Sequence, residues 1–126
     1  YFSDNAAVLG EWFTSDKKGK VQIYECGKKL CGKITWLNDP PAEYGNPPRD
    51  VNNPDASLRD RKLIGMNILE GFEKTDNNYW ENGTIYDPKN GKTYKCNMTL
   101  DGNILKVRGY IGFSLLGRTE EWTRAQ

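Results

Sequence analysis

The side chains able to do chemistry are few, and one class is missing. The 126-residue chain holds three cysteines and no histidine. That absence removes the commonest general base, the commonest metal ligand and the usual partner of a nucleophilic serine or cysteine. Catalysis would fall to carboxylates, Tyr, Lys or Cys, and the expectation is a protein that is not an enzyme and carries no metal or cofactor. Cys26 and Cys31 flank Gly27-Lys28-Lys29-Leu30 between two β-type runs. Facing positions of a hairpin lie ~4.5–5.5 Å apart at Cα, within the reach of a disulfide. The sequence therefore predicts a Cys26–Cys31 bridge. The alternatives are a metal site, which would need two further ligands, and two unrelated thiols in a reducing cytosol. Cys96, in Tyr94-Lys95-Cys96-Asn97-Met98, alternates with apolar neighbours and reads as a buried free thiol.

Carboxylates and arginines supply the remaining candidates. Glu70 keeps step with Met66, Ile68 and Phe72. If that face is interior, its carboxylate can anchor an amine or donate a proton, whereas a bulge at Gly71 would turn it to solvent. Asp39, Arg49, Asp50, Asn52, Asn53, Asp55, Arg59 and Arg61 crowd one polar stretch. Either its arginines clamp an anionic head group, or the network merely satisfies the backbone of an irregular loop. Asp87-x-x-Asn90-Gly91 lacks the extra oxygen ligands calcium demands and reads as a turn. Asn82-Gly83-Thr84 and Asn97-Met98-Thr99 are glycosylation acceptors only in a eukaryotic secretory route.

The elements that must position these groups are short β-runs parted by turns. They run Leu9–Ser15, Lys20–Glu25, Leu30–Leu37, Ile64–Lys74, Tyr79–Tyr86, Lys92–Leu100, Ile104–Tyr110 and Arg118–Arg124. Asn90-Gly91 supplies the positive φ angles of a tight hairpin. One stretch, Asn38–Lys62, breaks the pattern. It holds Pro40, Pro41, Pro47, Pro48 and Pro54, which exclude a central strand. Within it Pro54–Asp60 reads as a short helix with Asn53 as N-cap. The architecture expected is all-β: a single domain over 1–126, an eight-stranded antiparallel up-and-down barrel with one long loop carrying that helix. Leu30, Gly32, Ile34 and Trp36 would share its inner face.

Bulk properties limit the partners. Eighteen basic against 17 acidic residues leave a net charge of +1, so no long-range field attracts nucleic acid. No apolar run approaches the ~20 residues of a spanning helix, so the chain is expected to be soluble, a monomer or weak dimer. It opens on Tyr1, as a processed protein would, and with the cysteine pair this points to export.

Gly10-Glu11-Trp12 on the opening strand and Trp122-Thr123-Arg124 on the closing one resemble the lipocalin signature. In that family the Trp plugs the closed end and the Arg lies across its face, so Gly10, Trp12, Trp122 and Arg124 are expected to be structural. The resemblance extends along the chain. Cys31-Gly32-Lys33-Ile34-Thr35-Trp36-Leu37, Asp50–Asp55, Leu58–Arg61, Ile85–Cys96, Leu105–Gly112, Leu116–Thr119 and Trp122–Arg124 look like a bacterial exported family labelled domain of unknown function, number 2147. That resemblance implies a lipocalin-like barrel in the periplasm or secreted, with no established activity to carry over.

The leading functional expectation is an envelope protein binding a small apolar or amphipathic ligand. Its pocket candidates are Ile34, Trp36, Tyr94 and Met98, with Arg59 or Arg61 orienting a head group from the loop. The rival is a filled barrel that docks a protein through Trp80 or Phe113-Ser114-Leu115-Leu116. A histidine-free enzyme using Glu70 or Asp55 with Tyr94 ranks last.

Overall fold

The computed structural model describes residues 5–112 and 117–125. Eight strands close an antiparallel barrel in chain order: β1 (Gly10–Phe13), β2 (Gly19–Cys26), β3 (Lys29–Leu37), β4 (Asn67–Asp76), β5 (Tyr79–Asp87), β6 (Lys92–Asp101), β7 (Ile104–Tyr110) and β8 (Gly117–Arg124). The lipocalin-like barrel expected from the sequence is the fold. The short helix in the long loop is a single 3-10 turn at Ala56–Leu58, capped by Asp55 rather than Asn53. Asn53 cannot cap it because both ends of its amide are committed. Its nitrogen donates to Asp50 at 2.8 Å, and its oxygen accepts from the Asp55 backbone at 2.8 Å. The apolar loop Phe113-Ser114-Leu115-Leu116, a docking candidate, lies outside the described residues.

One end of the barrel is sealed. A 3-10 turn at Ala6–Val8 lies under β1, and the Trp12 indole donates to the Val8 carbonyl at 2.9 Å. The Arg124 guanidinium stacks on the Trp12 ring, 4.1 Å from its centroid, and donates to Leu9 O and Ala7 O. Trp80 and Trp122 are buried in the same core, and the Trp80 indole donates to the Asn5 side chain at 2.8 Å. Trp80 is thus unavailable as a docking residue.

At mid-height the bore is filled. Leu69 packs where a side chain on Gly32 would stand, and Phe72 does the same over Gly83; a Cβ at Gly83 would sit 2.5 Å from the phenyl ring. Both large residues point inward because Gly71, at φ 79°, bulges β4 between them. The bulge also leaves Glu70 paired with Thr84 on the outer wall and exposed. Of the two settings open for Glu70, the structure shows the solvent-facing one that a bulge at Gly71 produces.

The inner-face placement of Trp36 is corrected. Lys20 pairs with Trp36 but Val21 pairs with Ile34, so Thr35 is an extra residue in β3. The alternation slips by one, and Trp36 joins Phe13 and Lys20 outside. The rings meet edge-on at 6.3 Å, and the Lys20 ammonium stands 5.1 Å and 5.5 Å from their centroids. Cys26 and Cys31 form the predicted disulfide, with Cα atoms 5.8 Å apart.

Two outcomes test this packing. Trp12→Ala should destabilise the protein by ~3–5 kcal/mol through the cavity it leaves. Arg124→Lys should cost less, roughly 0.5–2 kcal/mol, because an ammonium loses the planar stack. Urea unfolding measures both, and equal losses would contradict the stacking account. Separately, denatured unreduced protein should titrate a single thiol, Cys96.

Candidate functional site

The end of the barrel opposite the Trp12 plug is built differently. There the inner wall carries Ile85 and Tyr94, a cross-strand pair, both only partly buried. They lean over Gly109, whose hypothetical Cβ would lie 3.3 Å from the Ile85 side chain and 3.6 Å from that of Tyr94. The Tyr94 hydroxyl accepts from the Asn90 amide at 3.0 Å. Beside them on β8, Arg118 and Glu120 take inward register positions opposite Gly109 and Val107. They form an exposed ion pair at 2.9 Å. Such a pair adds little stability, so it is a polar rim rather than a brace.

The long loop borders this mouth. Leu63 and Met66 are buried in the core cluster, and half-buried Tyr44 packs against it. Burial, then the charge of Asp87, hold the Tyr44 hydroxyl above its usual 10.0. What fixes the loop is Asp50, a fully buried carboxylate. It accepts from Tyr86 Oη at 2.7 Å, Asn53 Nδ2 at 2.8 Å and Arg61 Nη2 at 3.1 Å. Three donors around one buried carboxylate meet the requirement that a charge out of water be paired and hydrogen-bonded. A second clasp lies nearby. The Asn52 amide donates to Pro88 O and Lys89 O, and the Asn52 backbone runs so close to Gly91 that no side chain fits there. Gly91 thus serves the turn, at φ 71°, and the loop contact together.

The six residues proposed to bind ligand are not brought together. Ile34 and Met98 are on the inner wall but deep in the core, and Met98 is completely buried. Tyr94 reaches the mouth. Trp36 is outside. Arg59 donates to Asn53 O at 2.7 Å and Arg61 to Asp50, so both tie the loop to itself. Arg49 does likewise, donating to Asp60 O. Glu70, Asp55 and Tyr94 lie on the outer wall, in the loop and on the inner wall, and form no catalytic cluster. Cys96 is buried, and desolvation pushes its thiol up to about 12. Among the described residues no group of His, Cys, Asp and Glu could hold a metal ion. No described helix is long and apolar enough to cross a membrane.

Two open hollows mark the outer wall. One, of about 220 Å³, lies between the loop and β4–β6 and includes Asn53, Arg61, Glu70 and Thr84. The other, of about 340 Å³, runs over Asn82–Thr84, Lys95 and Tyr110.

Comparison with known proteins agrees with this architecture. Residues 10–124 match the family described as uncharacterized protein conserved in bacteria (DUF2147). A solved Helicobacter pylori structure, HP1028, described as belonging to the lipocalin family, superposes with a TM-score of 0.83 at 22% identity. The match covers 94% of this chain and 82% of that one. No curated protein sequence matches.

The Asp50 hub has a pH signature. Burial, then the hydrogen bond to Asp50, hold the Tyr86 hydroxyl well above its ordinary 10.0. An unfolded chain releases that proton near pH 10 while the folded one retains it. The hub's contribution is therefore complete below about pH 10 and is lost as pH rises above it. Tyr86→Phe should cost ~1–3 kcal/mol near neutrality and flatten the alkaline decline. Urea unfolding from about pH 8 to pH 11 checks this, and an unchanged alkaline slope would contradict it.

Proposed function

We propose that this chain, which belongs to the DUF2147 family of uncharacterized bacterial proteins, is an exported small-molecule-binding protein of the bacterial envelope. The asymmetry of the barrel carries the reading. One end is sealed by Trp12 and Arg124, while the other presents partly exposed Ile85 and Tyr94 beside the Arg118–Glu120 pair. An apolar wall with a few polar groups at its edge suits an apolar or amphipathic ligand. Because Phe72 and Leu69 stop the bore, the ligand sits in a shallow cup at the mouth. Binding rather than catalysis fits the scattered carboxylates. The Cys26–Cys31 bridge supports an oxidising compartment, the periplasm or outside the cell. We take the working form to be a monomer or weak dimer.

A second reading has its own observation. The same filled mid-section suits a barrel that docks a protein, and Ile111, 64% exposed, stands near the mouth as an apolar contact.

Calorimetric titration with medium-chain fatty acids separates the two. Saturable binding tighter than about millimolar is expected, with Tyr94→Ala weakening it about tenfold through lost apolar contact. Trp36→Phe and Arg59→Ala should bind as the parent protein does. Absence of binding, or an unaffected Tyr94→Ala, would sink the cup and leave the docking reading.

A further inference from the structure

The hollow of about 220 Å³ on the outer wall is separate from the barrel mouth, and its rim is unusual in composition. Arg61 reaches it from the loop, Glu70 and Asn67 from β4, Thr84 from β5 and Thr93 from β6, with Ile68 among its apolar parts. Most of these polar groups have capacity left. The Glu70 carboxylate is exposed and makes no ion pair or hydrogen bond among the described residues. The hydroxyls of Thr84 and Thr93 are likewise without a protein partner there. Asn67 accepts from Tyr24 Oη at 2.6 Å, which leaves its amide nitrogen to donate. Arg61 commits Nη2 to Asp50, and its side chain remains 43% exposed with Nε and Nη1 available. The Asp50 hub anchors Arg61, and the Gly71 bulge sets the direction of Glu70.

We propose that this hollow is a binding site for a small α-amino acid, its ammonium on Glu70 and its carboxylate on Arg61. The volume falls below the ~300–1,000 Å³ of sites for drug-sized ligands, which limits the occupant to a small molecule. The charges then fix its character. Asp50 already offsets Arg61, so the lining residues with their ion-pair partner carry one net negative charge, on Glu70, while Lys33 and Lys95 stand in register beside Asn67 and Thr84. A ligand carrying only a carboxylate meets Glu70 unfavourably, and an ammonium is favoured. The free guanidinium nitrogens and the threonine hydroxyls then serve the other end of the molecule as hydrogen-bond donors. Pro54, Tyr86 and the edge of Ile68 supply what apolar lining the hollow has for a short aliphatic side chain. Of the two charged contacts, the ammonium–Glu70 pair is the stronger determinant, because no protein group competes for it.

Titration of the full chain with L-leucine, L-leucinamide and N-acetyl-L-leucine, followed by calorimetry and amide NMR shifts, tests the site. L-Leucine should bind at about millimolar or tighter, with shifts confined to residues around Glu70 and Thr84. L-Leucinamide, which keeps the ammonium, should lose roughly three- to tenfold, and N-acetyl-L-leucine should not bind. Glu70→Gln should weaken L-leucine about tenfold, and Thr84→Val by a smaller factor. Both substitutions are at solvent-facing positions, so folding should survive; unfolding curves confirm it. The proposal is overturned if L-leucine causes no shifts at tens of millimolar, if N-acetyl-L-leucine binds equally well, or if Glu70→Gln leaves affinity unchanged. Fatty-acid binding at the mouth and its dependence on Tyr94 report on the other site, so either can fail alone.

Discussion

The stacking of Arg124 on Trp12 is the contact on which the closed barrel depends. Among the described residues β1 meets β8 through two residue pairs, Trp12 with Arg124 and Phe13 with Thr123. So short a ladder leaves little backbone hydrogen bonding to join the ends of the sheet. The guanidinium makes up the difference by binding three things together: the indole face, Leu9 O at 2.9 Å and Ala7 O at 2.6 Å. The Ala125 backbone adds a bond to Glu11 O at 2.9 Å. An open seam would present two unpaired strand edges to other chains, which makes closure a matter of solubility as well as stability.

From that seam the two ends of the molecule diverge. Three indoles and the Ala6–Val8 turn consolidate one end, where the Trp12 and Trp80 indoles donate to Val8 O and the Asn5 side chain. At the other, the Asn38–Lys62 loop is secured to the β5–β6 hairpin by a buried carboxylate and a glycine contact rather than by apolar packing alone. Polar anchoring of this sort fixes position strongly while burying little surface. It also explains why the arginines of the loop look inward: each commits at least one donor to Asp50 or to the carbonyls of Asn53 and Asp60, which for Arg61 leaves Nε and Nη1 free.

Much of the fold was legible in the chain because its signals are local. Alternation and turn residues give the strands, Asn90-Gly91 gives a hairpin, and the spacing of Cys26 and Cys31 gives the bridge. The candidate site was far less legible. Trp36 lies outside because of one extra residue, Thr35, and bulges have no reliable signature when the flanking residues are β-formers on both faces. The role of Asp50 depends on Tyr86, 36 positions away, and nothing in the polar stretch distinguishes it from Asp55 or Asp60. Gly91 looked complete as a turn residue, which concealed its second duty against Asn52. In each case the missing information was a contact distant in sequence.

The two glycine sockets decide how the bore is filled. Leu69 over Gly32 and Phe72 over Gly83 act as removable stoppers, because neither belongs to the seam, the plug or the loop anchor. Trimming either would open space below the mouth, with Ile34, Met98 and Val107 still lining the core beneath it. How far the bore is filled below the mouth thus depends on side chains rather than on strand register. The same eight-stranded order can therefore enclose a shallow bore or a deeper one.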